Sequence, residues 1–125
     1  MEEQGDCPDS NEISYFHKAM SAHDKVQFIE SRGSQVFIVH RIGGMTPVIV
    51  YLTNLYTVGA ADVYRIASTC AGVNCIVTTS IWNRYTGDAK RDAAEMKIGL
   101  FTLTELMGAL NWRYVWRYQK RPSER

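Results

Sequence analysis

The sequence predicts an α/β domain: a mixed sheet flanked by helices, in the order α-β-β-β-α-β-α-β-α. Three observations predict it. Residues 26–54 contain successive β-branched, partly alternating runs separated by turn residues, the pattern of a strand meander. From Thr57 onward, helix-spaced apolar residues alternate with short apolar runs, the pattern of helices crossing over a sheet. With 125 residues, 46% hydrophobic and 22% charged, the chain can build one real core but not two ordinary ones.

Each element has a local reason. Residues 1–10 are polar and contain Gly5 and Pro8, so they are expected to be a disordered acidic terminus. The domain is placed at 11–111. Ile13, Phe16, His17 and Met20 recur at helical spacing behind a cap at Ser10 or Asn11. Val26–Glu30 and Gln35–Ile42 read as two strands of a hairpin, turning at Ser31-Arg-Gly-Ser and ending at Gly43-Gly44. Pro47-Val-Ile-Val-Tyr-Leu-Thr-Asn54 is a third strand, with Tyr51 and Thr53 on one face. Residues 57–67 predict a helix, 73–79 a strand buried on both faces, and Trp82-Asn-Arg-Tyr a loop. Thr86 caps a helix through Met96 whose narrow face is Ala89, Ala93 and Met96, and Ile98–Phe101 is a brief strand. Thr102-Leu-Thr-Glu105 has the capping-box pattern of a last helix.

The net charge of +1 hides a polarity. Glu2, Glu3, Asp6, Asp9 and Glu12 crowd the first twelve residues, whereas Arg113, Arg117, Lys120, Arg121 and Arg125 oppose only Glu124 at the other end. Cys7, Cys70 and Cys75 form neither a CxxC pair nor an even disulfide framework; Cys70 and Cys75, in apolar context, read as buried thiols, which suits a reducing compartment. No stretch has the makeup of a signal peptide or the length of a membrane span, so a soluble, intracellular protein without membrane contact is expected. His17, His23 and His40 are too scattered for a metal cluster, and Ser80 lacks a nucleophile elbow.

Residues 75–110, CIVTTSIWNRYTGDAKRDAAEMKIGLFTLTELMGAL, resemble the closing segment of the Mrr-type branch of the restriction-endonuclease-like, PD-(D/E)xK, superfamily. The shared features are Val77-Thr-Thr-Ser80, the alanine-rich helix with Ala89, Ala93 and Ala94, the strand with Ile98 and Leu100, and the pair Glu105-Leu106. YTVGAADVYRIA, residues 56–67, is similar to the helix after that family's catalytic strand. The resemblance implies a divalent metal held by an Asp and a first-helix Glu, beside an [Glu/Gln]-x-Lys pair that works on phosphate. Carried over by position, the pair falls on Tyr51 and Thr53 and the Asp near Gln35, none of which can do that work. Between Glu30 and Asp62 there is no acidic residue, and between Arg41 and Arg65 no basic one, so the sheet centre is expected to be empty of charge. No cofactor and no metal are expected.

What remains is a binding surface. Trp112, Tyr114, Trp116 and Tyr118 alternate with Arg113, Val115 and Arg117 at strand period, marking residues 112–125 as an aromatic, basic segment. Three uses are open for it: an extra strand or helical turn folded over the core, a protein interface, or contact with nucleic acid. The preferred function is a catalytically inactive nuclease-like module that binds a protein partner or itself, in a nucleic-acid-processing assembly. One alternative is a DNA- or RNA-binding protein using Arg84, Lys90, Arg91, Arg113 and Arg117 against phosphate. The other is a weak metal-dependent nuclease relying on Glu12 and Glu30.

Overall fold

A computed structural model describes residues 6–79 and 83–119. The chain opens with α1 (Ser10–Ser21) and the hairpin β1 (Val26–Ser31) and β2 (Val36–Arg41), followed by β3 (Val48–Thr53) and a two-residue β4 (Thr57–Val58). Next come α2 (Ala60–Thr69), β5 (Cys75–Thr78), a two-residue β6 (Arg84–Tyr85), α3 (Gly87–Glu95), β7 (Gly99–Thr102), α4 (Leu103–Ala109) and a single 3-10 turn at Val115–Arg117.

The main sheet has the order β1-β2-β3-β5-β7. β1, β2 and β3 are antiparallel neighbours, and β3, β5 and β7 run parallel. It is therefore a mixed sheet with helices on both faces, as the alternating second half of the sequence requires. The period-2 side-chain rule divides β3 between the two faces. Val48, Val50 and Leu52 join Phe16 and Met20 of α1, Phe101 of β7 and Leu106 of α4 in one core. Tyr51 and Ile49 face the other core, with Val63 and Ile66 of α2 and Ala89 and Ala93 of α3. Burying an aliphatic or aromatic side chain of this size contributes roughly 1.5–3 kcal/mol. All four residues of β5 are buried, which explains why apolar Cys-Ile-Val stand together there without polar alternation.

The helix starts follow the local chemistry closely. The Thr102 side chain accepts from the Glu105 amide while the Glu105 side chain accepts from the Thr102 amide, closing the capping box. Thr86 caps α3 with the first half of that pair alone, its side chain accepting from the Ala89 amide. α1 differs by one residue from expectation: Asp9, not Ser10 or Asn11, is its cap, in a box completed by Glu12. Met96 lies past the end of α3 and is exposed, so the buried stripe of that helix is Ala89 and Ala93 alone.

Other expectations are corrected. Residues 57–58 do not begin a helix; they pair in parallel with residues 84–85, within the stretch expected to be a loop. Ser80 and Trp82 lie outside the described residues, as do residues 1–5 and the basic residues Lys120, Arg121 and Arg125. Asp6 and Pro8 are buried and Asp9 caps α1, so residues 6–9 belong to the folded unit and not to a loose terminus. The C-terminal segment is not a strand. Val115 enters the core at 2% exposure, Trp116 and Tyr118 pack against that core, and Trp112 and Tyr114 stay about half exposed. The four aromatics thus do not share a face.

Candidate functional site

The head of β3 is where the structure departs most from an empty sheet centre. Tyr51 and Thr53 point to the same side, as strand periodicity dictates, and Tyr51 is almost fully buried. The carboxylate facing them comes from 45 residues upstream. The Tyr51 hydroxyl donates to Asp6 Oδ2 at 2.8 Å and the Thr53 hydroxyl donates to the same oxygen at 3.3 Å. Thr53 Oγ1 also accepts from the Leu55 amide, which fixes its orientation. Arg65, from α2, places a guanidinium nitrogen 3.6 Å from Asp6 Oδ2 and 3.6 Å from Asp62 Oδ1. Two further donors hold the Asp6 main chain: the Asn54 amide and the Gln35 side-chain amide reach its carbonyl at 3.0 and 3.1 Å.

The electrostatics follow from that geometry. Burial first, and then the hydrogen bond to Asp6, push the Tyr51 phenol up to about 12, so it stays a proton donor throughout the ordinary pH range. For Arg65, burial is the largest influence and favours the neutral form. The Tyr51 hydroxyl and the Asp6 and Asp62 carboxylates outweigh it and raise the guanidinium. The expectation of an uncharged sheet centre is therefore corrected: Asp6 and Arg65 bring opposite charges to it, one on the N-terminal segment and one on α2. No local sequence pattern could disclose this, because the partners lie far apart along the chain.

An open cleft of about 400 Å³ adjoins the network. Its walls include Arg32, Ser34, Gln35, Tyr51, Arg65 and Thr69. Among the described residues no cluster of three or more His, Cys, Asp or Glu could hold a metal ion. Glu30 pairs with His40 at 3.0 Å and Arg32 at 3.3 Å, and these hydrogen bonds, His40 first, lower its carboxyl. It stands on β1 opposite Ile38, whereas Tyr51 stands two strands away opposite Val36, roughly 10 Å to the side at ordinary strand spacing. Glu12 is engaged in the α1 capping box. The fold does not gather Glu12, Glu30 and Tyr51 into one centre.

The basic residues expected to meet phosphate separate in the same way. Lys90 turns inward: its ammonium donates to the Leu100 carbonyl and lies 4.2 Å from the centre of the Phe101 ring. Burial lowers its pKa, against the opposing pull of Glu105. Lys90, expected on a phosphate surface, is instead half-buried with its ammonium engaged by β7. Arg91 lies between Asp88 and Asp92 at 3.2 and 3.4 Å. Arg84 rests over the Tyr56 ring and Arg117 over the Tyr114 ring, while Arg113 is exposed.

Sequence reading also missed Arg41. This buried guanidinium donates five hydrogen bonds to the carbonyls of Thr46, Leu110, Trp112 and Arg113, clamping the loop after β2 to the C-terminal segment. Among the described residues no helix is long and apolar enough to cross a membrane. No family model, curated protein or solved structure matches this chain.

Proposed function

We propose that this chain is a restriction-endonuclease-like module without nuclease chemistry, serving as a protein-interaction or scaffold element through a partner or through self-association. The observation that carries the reading is the chemistry at the head of β3. Where the resemblance expects an acid and a lysine there are a phenol and a hydroxyl, and both donate to Asp6. A hard divalent cation needs oxygen ligands with one or two carboxylates free to face it. Asp6 instead directs its charge at Tyr51, Thr53 and Arg65, an arrangement that resembles a structural lock more than a metal ligand set.

The surface favoured for binding is the exposed half of the C-terminal segment. Trp112 and Tyr114 flank Arg113 at 44% and 46% exposure, and Trp, Tyr and Arg are the residues that dominate interface energetics. Arg41 fixes the backbone of Trp112 and Arg113, so the aromatics would meet a partner with little ordering cost.

Sedimentation or light scattering of the full chain, with affinity capture from the native host, tests the reading. Trp112→Ala and Tyr114→Ala should reduce the assembly mass or the captured partner while leaving thermal stability within about 1 kcal/mol. A strictly monomeric chain that captures nothing, or magnesium-dependent cleavage of DNA, would overturn it.

A further inference from the structure

We propose that the groove at the head of β3 is a recognition site for an acidic peptide segment bearing an aspartate, and that residues 6–8 of the chain occupy it in cis. The contact set is that of a peptide receptor. Tyr51, Thr53 and Arg65 read a side-chain carboxylate, while the Asn54 amide and the Gln35 side chain read the main-chain carbonyl of the same residue. A small anion would satisfy only the first group and leave two donors unmet. Asp6 and Pro8 are buried with Cys7 exposed between them, so the segment seats alternate residues.

The adjoining cleft of about 400 Å³ shares Gln35, Tyr51 and Arg65 with this seat and adds Arg32, itself paired with Glu30, farther along. With Asp6 in place, Arg65 already faces two carboxylates. An incoming peptide must therefore displace the resident segment, and a tethered competitor lowers apparent affinity by the fraction of time the seat is filled. This site is separate from the Trp112 and Tyr114 surface, so either can fail alone.

The test uses the full chain with Asp6→Ala, and with Asp6→Asn as a near-isosteric variant that preserves packing. A fluorescent synthetic peptide carrying residues 3–9, with serine replacing its cysteine, is titrated by anisotropy. Saturable binding at least tenfold tighter to either variant than to the unaltered chain is expected. Alanine in place of the peptide's aspartate, or Arg65→Ala added to the protein, should remove that gain, and Trp112→Ala should not. Absence of binding at millimolar peptide to every Asp6 variant that folds would overturn the proposal. So would binding of inorganic phosphate to the variants without peptide binding, which would make the seat a small-anion site.

Discussion

At Tyr51, burial and the Asp6 carboxylate act in the same direction, and both oppose ionisation of the phenol. Its folded value near 12 exceeds the ordinary value of 10, so the unfolded chain loses this proton first as pH rises. The contribution is intact below pH 10 and is lost as pH climbs toward 12. Thermal midpoints measured from pH 8 to 11 should fall, and Tyr51→Phe should flatten part of that fall. At neutral pH the same substitution removes the shortest donor to a buried carboxylate, at a cost of roughly 1–3 kcal/mol readable by urea denaturation. Cys75, fully buried and pushed up to about 12 by desolvation, should resist thiol reagents in the native state, whereas exposed Cys7 should react first. A labelling order of Cys75 before Cys7 would contradict the packing of β5.

Among the elements, the helix starts were legible because capping is chemistry between residues three apart, as Thr102 and Glu105 show. Thr102→Ala should destabilise by about 1 kcal/mol. The C-terminal segment was not legible in the same way. Its alternation of aromatic and basic residues has strand period, yet both edges of the sheet leave it unpaired and Val115 is drawn into the core instead. Gly108 of α4 matters to that docking, because a Cβ there would come within 2.6–2.9 Å of the Tyr118 ring and hydroxyl. Gly108→Ala would gain up to about 1 kcal/mol of helix propensity, but the displaced ring loses its edge contacts with Phe101 and Trp112. The net outcome should be a lower thermal midpoint with reduced burial of Trp112 or Trp116 in fluorescence; a raised midpoint would show that the ring yields freely.

For the molecule as a whole, Arg41 joins parts of the chain that are some 70 residues apart in sequence. Arg41→Met keeps the apolar stem but leaves several carbonyls unmet, an expected loss on the order of 3 kcal/mol or roughly 10 °C in thermal midpoint. Truncation after residue 111 should destabilise at least as much, because it strips Val115, Trp116 and Tyr118 from the core. If the truncated chain keeps the full midpoint, the C-terminal turn is an ornament of the fold and not part of it.

The sequence by itself determined the series of major helices and strands, the pairing of Tyr51 with Thr53 on one face, and the caps at Thr86 and Thr102. Those depend on periods of two and 3.6 residues and on contacts three residues apart, all visible within a short window. Only the tertiary structure decided that Asp6 and Arg65 fill the head of β3, that Lys90 turns inward, and that the aromatic segment divides between core and surface. Such outcomes depend on charges and apolar groups from distant parts of the chain competing for the same buried space, and no local pattern records which of them wins.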